Sequence, residues 1–199
     1  MKVIGVTGGI GAGKSEVLKI IEKNCCCHIL IADRAAHDVM LSDGSCYHDL
    51  IRLLGKEILD ARLEIDRRKM AEKIFAEGAW ELLKKVNRIV HPAVKKYIVQ
   101  QIEEKRMKGT VDFFFIEAAL LIEDGYAEIC DELWYVRAAK EIRIKRLMEM
   151  RGYSFEKTKQ IMDSQLPEEV FLQHCKVVID NNGDLKAVSR QVLELLHRS

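Results

Sequence analysis

Residues 8–15, with the sequence Gly-Gly-Ile-Gly-Ala-Gly-Lys-Ser, constrain the fold more than any other stretch of the chain. They match the pattern G-x-x-x-x-G-K-[ST] and stand between an apolar β-favouring run, 3–7, and a helical pattern after Ser15. A glycine-rich turn in that setting directs backbone N–H groups and a helix N-terminus at one point, which suits an anion. The pattern predicts a phosphate-binding loop; the alternative is a glycine-rich turn without chemistry. Lys14 is expected to reach the β- and γ-phosphates, and the Ser15 hydroxyl to hold Mg²⁺.

Length and charge limit the remaining possibilities. The 199 residues suit one α/β domain with a small inserted subdomain. A net charge of +1 gives no reason to expect nucleic acid or a membrane surface as the main partner. No apolar run approaches the ~20 residues of a membrane span, and the first apolar run is interpreted as a strand rather than a signal peptide. The six cysteines lack zinc-like spacing and fit a reducing compartment. We therefore expect a cytoplasmic protein.

Five β-favouring runs predict a parallel sheet of about five strands flanked by helices, an α/β fold of the phosphate-loop NTPase type. These runs are 3–7, 27–32, 110–117, 132–136 and 176–180. The helical, charged stretch 34–108 predicts an insert, in which Asp66 is a natural helix cap and Pro92 predicts a helix start. The stretch 139–168 predicts two helices that form a lid, although its cations also fit a solvated helix face. The sheet core then comprises 1–33, 109–138 and 176–199.

Two carboxylates close β-favouring runs, Asp33 after the second and Glu117 after the third. Ligands of open parallel sheets bind beyond the carboxyl ends of the strands, so both are candidate site residues. Glu117 is expected near the water shell of a metal ion. The residues alone leave Asp33 equally open to a structural role, as the N-cap of the helix that follows.

Blocks of sequence along nearly the whole chain resemble dephospho-coenzyme A kinase. They are 4–15, Asp33, 65–67, 90–92, 116–123, 145–148 and 178–183. The chain departs from the family pattern at Glu117 and Ala119, where the family often has Asp and Pro. It also departs at Arg143, where the family often has Gln, and at Val170, where a basic residue is usual.

The resemblance implies ATP-dependent phosphorylation of the ribose 3′-hydroxyl of dephospho-CoA, the last step of coenzyme A synthesis, with Mg²⁺. The catalytic residues would be Lys14, Asp33 as base or orienter of the hydroxyl, and Arg146 on the transferring phosphoryl group. The implied nucleotide contacts are Gly9, Gly11, Ala12, Gly13, Lys14, Ser15, Glu16, Asn181, Asn182 and Gly183, the last three near the adenine. The implied acceptor contacts are Asp33, Arg67, His91, Glu117 and Leu120. Ser15 would bind the metal directly and Glu117 through water. The expected partner is the small-molecule substrate, and the protein is expected to be a monomer or a weak homo-oligomer.

Three other functions share some of these features. A kinase acting on a nucleoside or nucleoside monophosphate would share the loop, insert and lid. A GTP-dependent switch would need a guanine-reading Asn-Lys-x-Asp, and segment 181–184 lacks the lysine. A catalytically silent scaffold is disfavoured by the presence of Lys14, Ser15 and Asp33 together with a cationic lid.

Overall fold

The computed structural model describes residues 1–198. Its chain divides into two compact units, one formed by Met1–Leu30 and the chain from Glu104 onward, the other by Ile31–Glu103. We call them the sheet unit and the helical unit.

A five-stranded parallel sheet forms the centre of the sheet unit, in the order β2-β3-β1-β4-β5. The strands are β1 Lys2–Thr7, β2 Cys27–Ile31, β3 Phe113–Glu117, β4 Glu132–Arg137 and β5 Val177–Asp180. β1 lies between β3 and β4, with Val6 in register with Glu117 on one side and with Trp134 on the other. Because β1 is central, the loop that follows it has neighbouring strand ends on both sides. The predicted parallel sheet of about five strands is confirmed.

Helices cover the sheet and bury its apolar residues. In the sheet unit they are α1 Lys14–Asn24, α6 Lys140–Arg151, α7 Phe155–Asp163, α8 Glu168–His174 and α9 Leu185–Arg198. One core cluster contains strand residues such as Ile4 and Trp134, and it extends to Ile21 of α1 and Val192 of α9. The other face of β1 carries Gly5, where a Cβ would come within 2.7 Å of Leu133. Strands buried on both faces explain why their sequences are nearly continuous apolar runs.

The helical unit contains α2 Ala32–Asp38, α3 Tyr47–Leu54, α4 Arg67–Ile74 and most of α5 Trp80–Lys108. The predicted cap at Asp66 is present, because its side chain accepts hydrogen bonds from the backbone N–H groups of Arg68 and Lys69. Apart from Ile31, the last residue of β2, the described residues of this unit show one β-type pairing, a single antiparallel bridge between Leu59 and Ile65. The expectation of a helical segment without strands therefore agrees with the structure.

One local prediction for the helical unit is wrong, and one alternative that the sequence left open is excluded. Pro92 does not begin a helix but lies inside α5, which starts at Trp80. A proline inside a helix removes one backbone hydrogen bond, and buried Val86 and Val94 on either side of it anchor the helix through this position. Asp33 is not the N-cap of α2 either, because the helix starts one residue before it and the N-cap is Ile31, without a side-chain cap.

One short helix of the sheet unit was not predicted. The seven residues of α8 follow Pro167, and only Phe171 among them is buried. A segment so short shows no helical periodicity that sequence analysis could detect.

Candidate active site

The loop between β1 and α1 has the conformation that the glycine pattern predicts. Gly11 and Gly13 have φ values of 78° and 98°, which glycine adopts without steric cost. At Gly13 a Cβ would also lie 2.0 Å from the Nδ2 of Asn181. The turn is closed by a hydrogen bond from the Ala12 N–H to the Gly9 carbonyl, 3.1 Å long. The loop leads directly into α1, so its backbone donors and the positive end of the helix belong to one structure.

Lys14 and Glu117 meet beside this loop. Lys14 Nζ donates to the Gly8 carbonyl at 2.8 Å and lies 3.5 Å from Glu117 Oε1. Their side chains are only 13% and 17% exposed. The register of β1 and β3 brings the pair together, since Glu117 lies opposite Val6, two residues before Gly8. Ser15 is exposed in the first turn of α1. A cation and a carboxylate thus meet beside the glycine-rich turn, and a hydroxyl follows it at the start of α1.

Arg146 and Asn181 bind backbone carbonyl groups of the loop. Arg146 Nη1 contacts the Gly11 and Ala12 carbonyls at 3.4 and 3.3 Å, and its Nη2 donates to the Asn181 carbonyl at 3.0 Å. The buried Asn181 Nδ2 donates to the Ala12 carbonyl at 2.7 Å. The structure therefore brings these two predicted residues together, with the loop backbone as their shared partner.

A cavity of about 260 Å³ lies between α6, the start of α1 and the turn after β5. Its lining is largely apolar, with a few polar groups, which is common in ligand sites. The lining residues are Gly11, Gly13, Ser15, Glu16, Arg146, Leu147, Met150, Arg151, Asn181, Gly183 and Leu185. Asn182 is not among them: its Oδ1 accepts from the Ala139 N–H at 2.6 Å, and its Nδ2 donates to Asp180. Of the three residues predicted near an adenine, Asn181 and Gly183 face the cavity.

Arg143 and Gln165 contact the loop, although sequence analysis did not single them out as site residues. Arg143 Nε donates to the Ile10 carbonyl at 2.8 Å, and Gln165 Oε1 accepts from the Ile10 N–H at 3.1 Å. Burial lowers the pKa of the Arg143 guanidinium, which stays charged at neutral pH. The sequence signals Arg143 only as one of several lid cations, and it carries no signal for Gln165.

The other predicted residues lie as follows. Leu120 follows β3 in the sheet unit and is 46% exposed. Within the helical unit, Asp33 is exposed in the first turn of α2, and Arg67 is exposed as the first residue of α4. His91 is half-buried within α5.

Two features are absent from residues 1–198. No group of three or more His, Cys, Asp and Glu side chains is arranged to hold a metal ion. No helix in this part of the chain is both long and apolar enough to cross a membrane.

The fold and this site define a phosphate-loop kinase, and comparison with known proteins assigns the family. The family model for dephospho-CoA kinase matches residues 2–187. The chain is similar to a dephospho-CoA kinase of Streptococcus agalactiae, with 36% identity over 99% of this chain and 98% of that protein. It is 34% identical to the enzyme of Carboxydothermus hydrogenoformans over 100% of this chain and 94% of that one. The protein belongs to the dephospho-CoA kinase family, which confirms the resemblance seen in its sequence.

The fold also matches a solved structure along its whole length. The Thermus thermophilus protein TT1252 superposes with a TM-score of 0.80 and 27% identity, covering 99% of this chain and 97% of that chain. The family pattern and the fold therefore agree over the same residues.

Proposed function

We propose that the protein transfers the γ-phosphoryl group of ATP to the ribose 3′-hydroxyl of dephospho-CoA and releases coenzyme A and ADP. The observation that carries the proposal is the glycine-rich loop with Lys14 and Glu117 beside it, in a chain of the dephospho-CoA kinase family. Phosphoryl transfer requires little covalent chemistry from a protein; it requires positioning and neutralisation of charge. A loop with backbone donors and a lysine supplies both.

The loop would hold the triphosphate. Backbone N–H groups and the α1 N-terminus would face the phosphates, and Lys14, now 3.5 Å from Glu117, would bind phosphate oxygens. Arg146, already bound to the loop backbone, would add positive charge near the transferring group. The adenine would occupy the cavity lined by Asn181 and Gly183. Glu16, which also lines the cavity, Gly9 and Ala12 complete the proposed nucleotide contacts, and Asn182 supports the turn through its hydrogen bond to Ala139.

The donor set near the loop suits Mg²⁺. Ser15 and Glu117 offer hard oxygen ligands, and Mg²⁺ binds through one or two such ligands, substrate phosphates and retained water. We propose that the Ser15 hydroxyl binds the ion directly and Glu117 binds it through water. The ion would neutralise charge that develops on the phosphate oxygens.

Asp33 would orient the acceptor hydroxyl and accept its proton late in the transfer. A carboxylate is a weak base for an alcohol, so orientation would contribute more than proton removal. We assign the acceptor to contacts with Arg67, His91, Glu117 and Leu120 on the basis of the family pattern. The helical unit is thus proposed as the acceptor-binding insert, and residues 139–168 as the lid. We further propose a cytoplasmic enzyme, monomeric or weakly self-associating, without a nucleic-acid partner.

The test is a product assay with an acceptor panel. The purified protein is incubated with ATP, Mg²⁺ and dephospho-CoA, and coenzyme A is measured by mass spectrometry; adenosine and AMP serve as control acceptors. Coenzyme A formed in strong preference to the control products supports the proposal. Transfer to adenosine or AMP alone would favour a nucleoside or nucleoside monophosphate kinase. ATP binding without any transfer would favour a silent scaffold.

A further inference from the structure

Ile10 lies in the phosphate loop. Side chains of the lid segment, residues 139–168, form hydrogen bonds with both its backbone N–H and its carbonyl group. Arg143, in α6, donates from Nε to the Ile10 carbonyl at 2.8 Å. Gln165, two residues after α7, accepts the Ile10 N–H on Oε1 at 3.1 Å. Arg143 Nη2 donates to the same Gln165 oxygen at 2.5 Å. These hydrogen bonds form a closed ring, which we call the Arg143–Gln165 clamp.

The clamp lies directly against the loop backbone. A Cβ at Gly9 would be 2.2 Å from Arg143 Nη2, and a Cβ at Gly11 would be 3.0 Å from the Arg143 carbonyl oxygen. Glycine at position 11 lets the α6 backbone approach the loop closely, and glycine at position 9 leaves space for the Arg143 guanidinium. The same glycines give the loop large conformational freedom when nothing holds it, so ordering the loop costs backbone entropy.

The clamp also determines where loop donors point. The carbonyl of one residue and the N–H of the next belong to one planar trans peptide and point in opposite directions. With the Ile10 carbonyl bound to Arg143, the Gly11 N–H must point away from α6. Arg146 and Asn181 hold the Ala12 carbonyl in the same way, so the Gly13 N–H also points away from them. Side chains that bind carbonyls on one side of the loop therefore arrange N–H groups on its other side.

Arg143 adds a positive charge to this region; the Glu168 carboxylate acts on it electrostatically but is ion-paired with Arg137. Its guanidinium is half-buried, and among residues 1–198 it forms no ion pair within 4.0 Å. Its hydrogen-bond acceptors are a backbone carbonyl and a neutral amide. A partly desolvated cation in this position favours an anion on the neighbouring loop.

We propose that Arg143 and Gln165 are a pair of positioning residues, which hold the phosphate loop in its anion-binding conformation and couple it to the lid segment. The inference rests on the proposed nucleotide binding and deepens it. Arg143 and Gln165 act through the backbone of Ile10 rather than by contact with the reacting atoms.

The test measures ATP affinity by calorimetry without acceptor, in the wild type and in Arg143→Ala, Gln165→Ala and the double variant. Each single variant should weaken ATP binding about tenfold, the loss expected for one hydrogen bond to a charged group. The double variant should bind no more weakly than the weaker single variant, because both substitutions open the same ring. Hydrogen exchange of segment 9–13 should become faster in all three, while the melting temperature stays within a few degrees of the wild type.

Gln165→Glu separates positioning from charge. A glutamate keeps an acceptor for both the Ile10 N–H and Arg143, but it cancels the positive charge. If the clamp positions the loop, Gln165→Glu binds ATP more tightly than Gln165→Ala. If Arg143 contributes charge alone, the order is reversed and Gln165→Ala binds like the wild type, which would overturn the proposal. Arg190→Ala, which replaces an exposed arginine of α9, is the matched control. It should change neither the ATP affinity nor the hydrogen exchange of segment 9–13.

These outcomes are distinct from a failure of the proposed function. A wild type that binds ATP but does not phosphorylate dephospho-CoA would refute the acceptor assignment. The ATP affinities of the Arg143 and Gln165 variants would still test the clamp. A wild type that bound no ATP would refute the proposed function, and unchanged hydrogen exchange of segment 9–13 in Arg143→Ala would then refute the clamp independently.

Discussion

Asn181 and Ala12 are joined by a buried hydrogen bond of 2.7 Å between the Asn181 side-chain amide and the Ala12 carbonyl. The two residues are 169 positions apart, so the bond ties the turn after the last strand to the loop after the first. Asn181 itself is held by its backbone N–H, which donates to the Arg137 carbonyl at the end of β4 at 2.8 Å. The conformation of the phosphate loop thus depends on the carboxyl ends of three strands.

Asn181→Ala should lower both stability and nucleotide affinity. The Ala12 carbonyl keeps a longer contact with Arg146, at 3.3 Å, so we expect a loss of about 1–2 kcal/mol in the free energy of unfolding. ATP affinity should fall severalfold, because the loop is less well held. Urea denaturation and calorimetry measure the two effects. Asn24→Ala, at the exposed end of α1, is the control; an equal loss there would show that the effect is not specific to the loop.

Lys14→Ala should remove most of the triphosphate affinity and nearly all activity. The variant loses the ammonium group that donates to the Gly8 carbonyl at 2.8 Å and leaves Glu117 without the cation that lies 3.5 Å from it. By analogy with the loss of one preorganised donor to a transition state, we expect kcat to fall by a factor of about 10²–10³. Kinetics with saturating dephospho-CoA and calorimetry with ATP measure these changes. Lys23→Ala, in the last turn of α1, should behave like the wild type. Unchanged ATP affinity in Lys14→Ala would argue against the proposed triphosphate site.

Asp33→Asn should retain ATP binding and lose most turnover. The side chain is exposed in the first turn of α2 and makes no capping hydrogen bond, so the amide should be tolerated structurally. An amide cannot take up the proton and can present its NH₂ group to the hydroxyl, so orientation and proton removal are both impaired. We expect kcat to fall by a factor of about 10²–10⁴, the contribution typical of a positioned acid or base. The measurements are kcat and the dissociation constant of ATP, with Asp49→Asn in α3 as an exposed control. Turnover near that of the wild type would remove Asp33 from the mechanism.

Sequence patterns predicted the loop and the strands because both depend on local signals. Gly13 needs a positive φ whatever surrounds it, and a buried strand such as β3 reads as a continuous apolar run. Pro92 was misplaced because the packing of α5 outweighs a local rule about proline. The contacts of Arg143 and Gln165 with Ile10 span 133 and 155 residues. No local pattern encodes such distant pairs, so they required the structure.

Thiol reactivity offers a test of burial in the sheet unit. Burial raises the pKa of Cys27 and of Cys130 to about 12 and that of Cys175 to about 11. Because the thiolate is the reactive form, these thiols remain protonated and unreactive at pH 8. Cys26, by contrast, is exposed at the junction of α1 and β2.

We expect iodoacetamide at pH 8 to modify Cys26 first, as followed by mass spectrometry of the peptides. Cys26→Ser should remove the fast reaction. Raising the pH to 10 should accelerate modification of Cys27 and Cys130, since the thiolate fraction grows about tenfold per pH unit below the pKa. Unfolding in urea supplies the control, because all the thiols should then react at similar rates. Cys130 reacting as fast as Cys26 in the folded protein would contradict the packing of Cys130 against the sheet near Gly5, where a Cβ would lie 3.2 Å from its sulfur.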